Sequence, residues 1–304
     1  MVLRSPRARG LLAALVCVFI AGEIAGQRRA ITVEELYTYE GWRRFNGSEW
    51  ASMTWVPGGG PWLSDTHHLW PVDSAQGKPF VAQGTPSSDA SWLRVEAATG
   101  ANEPLFTARQ LESALVEAGA PDGDARAASR RRPSNFNATR DAFLVSVADD
   151  LYVYEIGTAR ATRVTNSAGA KTEATFSPDG RTVAFVRNYN LFVTSIAAPA
   201  ERALTSDGTP ELINGTLDWV YSEELYGRGN HRGYWWSPDS SRIAFLQFDE
   251  AAVPEYTLVD DISYRPSIER WHYPKAGDPN PTVKLGVASI SGSPVRWMDT
   301  TSYT

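Results

Sequence analysis

The sequence is poor in cysteine, in histidine and in long apolar runs. Its 304 residues include one cysteine, Cys17, which lies in the N-terminal segment, so neither a disulfide framework nor thiol chemistry is expected. The four histidines lack the spacing of a metal site, and we expect each to be structural or at the surface: His67, His68, His231 and His272. No metal and no cofactor are predicted.

Basic residues are also fewer than acidic ones. The chain has 29 Lys and Arg against 35 Asp and Glu, a net charge of −6, which argues against nucleic acid as a partner. The basic run 130–132 could form a nucleic-acid patch, but no aromatic residues interleave with it. We therefore interpret residues 121–140, which also carry Pro, Gly and Ala, as a solvated connector.

The longest apolar run lies at the N-terminus and is too short to span a bilayer. Arg4, Arg7 and Arg9 precede an apolar stretch over residues 11–21, and small residues follow at Ala25 and Gly26. This order is typical of a secretory signal, whereas a permanent anchor would need a longer run. We predict that residues 1–26 are a signal peptide and that the protein is exported, to the periplasm or the extracellular space.

Aromatic residues and turn formers are abundant. The chain has 11 Trp, 12 Tyr and 11 Phe with 24 Gly and 19 Pro, a composition that favours a turn-rich β protein. Residues 27–49 are predicted to be a helical lead-in, since Thr32 and Glu35 form a capping-box pattern. From residue 50 onwards, short apolar runs alternate with turns. One stretch with helical spacing, 108–117, is interpreted as an insertion.

Two internal repeats indicate the architecture. The turn at Ser177-Pro178-Asp179 recurs at Ser237-Pro238-Asp239, sixty residues later, and the following strands keep the same register. In a second repeat, residues 191–196 resemble residues 151–156, forty positions earlier. Periods of this size with several strands in each unit are typical of β-propeller blades. We predict an all-β fold, a partial propeller over residues 50–304.

The most informative motif is the octet at 218–225, Asp-Trp-Val-Tyr-Ser-Glu-Glu-Leu. On a β-strand, Glu223 and Glu224 would point to opposite faces. On a helical turn they diverge by roughly 100°, close enough to converge on one cation. Because neighbouring carboxylates repel, a positive group between them is favourable. The pair is therefore a candidate receptor for an ammonium group; taken alone, an exposed acidic turn is the alternative.

The octet and the short sequence motifs that follow it resemble the dipeptidyl peptidase IV family of serine exopeptidases. The matching motifs, in the order and at the spacing found in the family, are residues 235–239, 244–249, 253–256, 273–277 and 280–284. The resemblance implies an eight-bladed N-terminal propeller whose acidic pair binds the free N-terminal amine of a peptide substrate. These positions fall on Glu223 and Glu224. Family members usually have a third Glu where this chain has Ser222, a departure that spares both binding positions.

The resemblance also implies parts that the sequence does not contain. Family members carry an α/β-hydrolase domain with a Ser-Asp-His triad after the propeller, but the nucleophile pattern Gly-x-Ser-x-Gly does not occur here. We therefore interpret residues 50–304 as about half to two-thirds of the propeller of a longer protein, inactive alone, with the catalytic domain supplied in cis. A homodimer is a further expectation. A non-catalytic propeller that binds peptides or proteins is the alternative.

The family resemblance implies one more substrate contact, an arginine from the propeller near the substrate carbonyl. Arg140 is nearby in the sequence, but the residues around it do not match the family. Its assignment stays open.

Overall fold

The computed structural model describes residues 62–73, 78–79, 90–226, 229–262 and 264–301. The chain divides into two compact units, residues 1–53 and 54–304, and every described residue belongs to the second. The predicted signal peptide and helical lead-in therefore lie outside the described residues.

Antiparallel strands dominate the described part and form four sheets and a hairpin. The first sheet has the spatial order β2-β1-β3-β4 and consists of His67–Asp73, Lys78–Pro79, Ala90–Glu96 and Asn102–Thr107, numbered β1 to β4 along the chain. The second, β5 to β8, is a simple meander of Ser134–Phe136, Ala142–Val147, Asp150–Glu155 and Arg160–Arg163. The third, β9 to β12, repeats that meander with Thr172–Phe176, Thr182–Arg187, Asn190–Ser195 and Arg202–Ala203.

The fourth sheet has a divided first strand. Leu212–Asn214 (β13) and Tyr234–Trp236 (β14) both pair with Arg242–Asp249 (β15), β13 with its second half and β14 with its first. The sheet continues through Thr282–Ser289 (β18) to Arg296–Trp297 (β19). Between β15 and β18, Glu255–Asp260 (β16) and Ser267–His272 (β17) form a separate hairpin.

In the part of the chain that the structure describes, three apolar layers lie between successive sheets and form the core. Along β10, Val183 and Phe185 join the layer shared with the second sheet, whereas Ala184 and Val186 join the layer shared with the fourth. Alternate residues of a strand point to opposite faces, so a blade between two neighbours needs apolar residues in succession. This explains the run of buried residues in β10 and confirms the predicted all-β partial propeller.

The predicted helical insertion is confirmed with its bounds. Helix α1, Ala108–Glu117, begins at Thr107, whose side chain accepts a hydrogen bond from the backbone N–H of Gln110 while the Gln110 side chain accepts one from that of Thr107. The capping box fixes where the helix begins. The buried side chains of Leu111 and Leu115 place α1 in the first apolar layer, which lies between the first and second sheets.

The predicted connector at 121–140 is wrong. This stretch contains a second helix, Asp122–Ser129 (α2), and the first strand of the second sheet, β5. Ala125 and Ala128 of α2 are buried in the first apolar layer, and Asp122 and Asp124 suit its N-terminal turn. The polar composition misled the prediction because alanine packs a helix closely while adding little hydrophobicity.

Within the described residues, the repeated turn occurs three times rather than twice. In both predicted copies a serine, Ser177 or Ser237, donates to the aspartate two residues later at 2.6 Å and accepts a backbone N–H from the following strand. In the second sheet Asn137 takes the serine's place, since its Oδ1 accepts the N–H of Ala142 at 3.1 Å. The third copy has no Ser-Pro-Asp signature, so the sequence pattern missed it.

A buried ion network joins the second and third sheets. The side chain of Lys171 has no exposed surface, and its Nζ donates to Asp150 Oδ1 at 2.7 Å and to the carbonyl of Ser167. Asp150 also accepts hydrogen bonds from Arg163 and Thr165. Burial opposes ionisation of Asp150, but these donors outweigh it and hold the pKa of this carboxyl below its usual value.

Candidate functional site

The acidic octet lies in a long excursion from the first strand of the fourth sheet. Residues 215–226 leave the sheet after β13, and residues 229–233 lead back to it at β14. The neck is closed by hydrogen bonds from Gly233 N to the carbonyl of Gly215 at 2.9 Å and from Leu217 N to that of His231 at 2.7 Å. Gly215 has a φ of +77°, and a side chain on Gly233 would meet the backbone of residue 216 at 3.1 Å. Both positions therefore suit glycine.

The excursion carries a wide helical turn. Residues Tyr221–Leu225 form a single π-helical turn, in which Tyr226 N donates to the carbonyl of Tyr221 at 2.8 Å. Asp218 precedes the turn and is buried, and its two carboxylate oxygens accept the N–H groups of Val220 at 3.2 Å and Tyr221 at 3.1 Å. These N–H groups have no partner within a helix, so the Asp218 carboxylate caps the turn. Single-turn π-helical segments, mostly found as bulges within α-helices, are frequent at functional sites.

Both predicted binding residues lie on this turn, next to each other. Glu223 is half-buried and Glu224 is exposed. Ser222, the departure from the family pattern, is buried, and its hydroxyl donates to the carbonyl of Trp219 at 3.1 Å. The serine therefore contributes to the internal hydrogen bonding of the turn.

Aromatic side chains hold the turn against its surroundings. Trp219 contacts Tyr273 edge to face, with ring centroids 4.4 Å apart, and Tyr221 contacts the buried Phe248 in the same way at 4.8 Å. Phe248 belongs to β15, whereas Tyr273 follows the hairpin strand β17. The turn thus rests on two separate segments of chain, both distant in sequence.

A second buried acid lies near Asp218. Burial raises the pKa of Asp218, opposed by the N–H groups that it accepts. Glu250, which follows β15, is 7% exposed, and burial raises its pKa to about 7. His272 favours the ionised form of Glu250, whereas Asp218 opposes it. Glu250 is therefore electrostatically coupled to Asp218, the residue that caps the acidic turn.

Several residues of this arrangement escaped the sequence reasoning. Asp218 was recognised as part of the motif, but its capping role was not, although an aspartate before a helical turn is a known signal. Glu250 and Tyr273 carry no local signal, because only the fold brings them to the turn. Arg140, the candidate for the carbonyl contact, lies between β5 and β6 of the second sheet, with its guanidinium 5.9 Å from the Phe136 ring centroid.

The histidines take up varied surroundings. His68 is buried between Trp62 and Trp70, whose ring centroids lie at 5.6 and 5.8 Å, and burial lowers its pKa. His272 donates from Nδ1 to the carbonyl of Val253 at 2.8 Å. Within the described residues, no three His, Cys, Asp or Glu side chains are grouped as a metal site would need.

Four sheets packed face to face, with an acidic turn projecting from the first strand of one, define a β-propeller domain with a candidate binding turn. The chain belongs to the dipeptidyl peptidase IV family. The family model described as "Dipeptidyl peptidase IV (DPP IV) N-terminal region" matches residues 134–303, more than half of the sequence. This match confirms the resemblance and makes the chain a member of a dipeptidyl aminopeptidase family.

Individual relatives agree. The chain is 36% identical over 153 residues to the "Probable dipeptidyl peptidase 4" of Emericella nidulans, which covers 48% of this chain and 19% of the relative. It is 38% identical over 122 residues to the "Dipeptidyl aminopeptidase B" of Saccharomyces cerevisiae, covering 38% of this chain and 15% of the relative. The matched regions thus span less than a fifth of these relatives.

Solved structures show the same architecture. Dipeptidyl peptidase 4 of Porphyromonas gingivalis superimposes with a TM-score of 0.55 at 27% identity, over 71% of this chain and 30% of that protein. A putative dipeptidyl aminopeptidase IV of Bacteroides ovatus gives a TM-score of 0.54 at 20% identity over 79% of this chain and 29% of that protein, and supports the fold alone. In the described residues, no helix is both long enough and apolar enough to cross a membrane.

Proposed function

We propose that Glu223 and Glu224 bind the protonated N-terminal amine of a peptide and that the complete protein releases dipeptides by serine acyl transfer. The observation that supports this most is the pair of adjacent carboxylates on a capped π turn, at the positions where the family binds its substrate amine. Acyl transfer needs an activated serine, which we propose is supplied in cis by an α/β-hydrolase domain of the complete protein.

The chemistry of the amine suits this turn. An α-amino group has a pKa of about 7.7–8.0 and is largely cationic at neutral pH. Each charge-assisted hydrogen bond to a carboxylate contributes roughly 1.5–3 kcal/mol. Glu223 is half-buried, so its bond to an ammonium group is less screened by water than one from Glu224.

Amine binding would also set the site of cleavage. Two carboxylates fixed on a turn hold the first nitrogen of the peptide at one point, which limits how far the chain extends towards a catalytic serine. In the proposed mechanism this distance corresponds to two residues. The turn then acts in positioning the scissile bond, and a chain without a free amine is held in no fixed register.

The experiment that tests this proposal compares two substrates on the complete gene product. A dipeptide amide with a free N-terminus should be hydrolysed, and its N-acetylated form should lose more than about a hundredfold in kcat/KM, since two charge-assisted bonds are removed. Equal hydrolysis of both forms would contradict amine recognition. If neither is hydrolysed but the free peptide alone binds, the propeller is a binding module instead.

We also propose that the protein is exported. Residues 1–26 support this with their basic start, apolar run and small residues at the end. N-terminal sequencing of the protein recovered outside the cytoplasm should find a start near residue 27. Recovery in the cytoplasm with residues 1–26 intact would contradict the proposal.

A further inference from the structure

The excursion that carries the acidic turn is hydrogen-bonded to the third sheet at its return strand. Tyr234, the first residue of β14, is 1% exposed. Its hydroxyl group donates to the carbonyls of Glu173 in β9 and Ala184 in β10, the latter at 3.1 Å, sharing one proton between them. A side chain of the fourth sheet therefore ends among the backbone groups of its neighbour.

The Tyr234 hydroxyl also has a donor. Trp236 Nε1 donates to Thr175 Oγ1 at 3.1 Å, and Thr175 Oγ1 lies 2.9 Å from Tyr234 Oη. Because an indole N–H only donates, Thr175 accepts from Trp236, and its own proton is free to bond Tyr234. The apolar layer between these sheets is non-directional, whereas a chain of hydrogen bonds fixes the geometry of the junction.

The carbonyl that accepts from Tyr234 belongs to a bulge in β9. Glu173 and Ala174 together stand opposite the single residue Phe185 of β10. Glu173 has a φ of +53°, in the left-handed region that costs free energy for residues other than glycine. Such a conformation persists only where its surroundings hold it, and the Tyr234 hydroxyl is one of the groups that do so.

The outgoing stem of the excursion is bonded to the same sheet. Asn214, the last residue of β13, has no exposed surface. Its backbone N–H and its Nδ2 both donate to the carbonyl of Tyr189, at 3.0 and 3.2 Å, in the turn between β10 and β11. Nδ2 also donates to Asp207 Oδ1 at 3.1 Å. Both strands that flank the excursion are therefore tied to the third sheet.

Only a short stretch of chain separates these bonds from the acidic turn. Gly215 packs on the Tyr234 ring, since a Cβ added to it would lie 3.6 Å from Tyr234 Cδ1. Gly233 donates across the neck to Gly215, and Leu217 is bonded to the returning chain one step further out. Asp218, which caps the π turn, follows directly. A shift of the stems therefore moves the turn.

We propose that Tyr234 is a positioning residue, whose hydrogen bonds to the third sheet hold the neck of the excursion so that Glu223 and Glu224 meet the substrate amine. This inference rests on the proposed function, since it assumes that the two glutamates bind that amine. Tyr234 is buried and acts through the neck. Without its hydroxyl, the turn occupies the binding position for only part of the time, and the apparent affinity for the amine falls by that fraction.

The test replaces Tyr234 with phenylalanine in the complete gene product, which keeps the ring and removes only the hydroxyl. KM for a dipeptide amide with a free N-terminus should rise about threefold to tenfold, the equivalent of one net hydrogen bond. The kcat should stay within about twofold, and hydrolysis of the N-acetylated form should not change, since it offers no ammonium group. A variant that is merely less well folded would lower kcat equally for both substrates and leave KM unaltered.

Variants of the partner residue and of an unrelated hydroxyl complete the test. Thr175→Val removes the donor to Tyr234 and should also raise KM, whereas Thr175→Ser keeps a hydroxyl and should restore the wild-type value. Thr194→Val is the matched control, because it removes another buried hydroxyl of the third sheet, one that donates to the carbonyl of Val164 at 3.0 Å. It should lower Tm without changing KM. An equal rise of KM in this control would overturn the proposal, since any loss of stability would then suffice.

Hydrogen exchange without substrate separates this inference from the proposed function. In Tyr234→Phe, the backbone amides of residues 217–226 should exchange at least about threefold faster than in wild type, and in Thr194→Val they should not. Unchanged exchange in Tyr234→Phe would overturn the anchoring, and faster exchange with a wild-type KM would overturn the positioning role. If Glu223→Gln and Glu224→Gln leave KM unchanged, the proposed function itself fails, and the exchange rates decide the anchoring by themselves.

Discussion

Replacing Glu223 with glutamine should lower kcat/KM for a dipeptide amide by about tenfold to a hundredfold in the complete gene product. The substitution keeps the size of the side chain and removes its charge, which costs one charge-assisted hydrogen bond of roughly 1.5–3 kcal/mol. Glu224→Gln should have the smaller effect, since Glu224 is exposed and Glu223 is half-buried. The measurement is steady-state kinetics at pH 7, with free and N-acetylated substrates.

The pattern across variants distinguishes substrate binding from damage to the fold. The double variant should lose more than either single one but less than their sum predicts, because both groups act on one ammonium. Glu269→Gln, on the exposed strand β17, is the matched control and should behave as wild type. Unchanged kinetics in the double variant would refute amine recognition by this turn. An equal loss with the acetylated substrate would point to misfolding.

Replacing Lys171 with methionine should cost about 3–5 kcal/mol in the free energy of unfolding, the range for a buried ion pair that loses one partner. Lys171 is buried between the second and third sheets, and its loss leaves the Asp150 carboxylate and the carbonyl of Ser167 without this donor. Chemical denaturation of the 304-residue chain measures the effect. Lys284→Met, at an exposed position of β18, should change stability by no more than about 0.5 kcal/mol.

The pH dependence gives this prediction a second check. Because the pKa of Asp150 is held below its usual value, its interactions stabilise the fold above that usual value and are lost as the pH falls. The difference between wild type and Lys171→Met should therefore shrink towards acid pH. Adding Asp150→Asn to Lys171→Met should recover part of the lost stability, since it removes a carboxylate whose buried cationic partner is gone and whose remaining one, Arg163, is exposed. A single variant as stable as wild type would show that the network contributes nothing.

Local patterns predicted much of the architecture. The turns at Ser177 and Ser237 work through hydrogen bonds between residues two to five apart, so the motif itself determines the structure. The insertion at 108–117 was likewise predicted, because its apolar residues recur at a local, helical spacing. At the third turn, Asn137 accepts the corresponding backbone hydrogen bond in place of a serine, so the Ser-Pro-Asp motif does not reveal it.

Tertiary structure decided the surroundings of the acidic turn. The octet and the family motifs that follow it indicated a short helical turn with Glu223 and Glu224 side by side, because this information lies in residues that are close in sequence. The electrostatic coupling of Glu250 to His272 and to Asp218, and the contact of Tyr273 with Trp219, depend on how β15 and the hairpin return to the excursion. Burial and electrostatic coupling between residues far apart in the chain arise only when the sheets pack. For that reason, the sequence alone located the acidic residues along the chain, and only the packed fold showed which distant residues contact the turn or couple electrostatically to it.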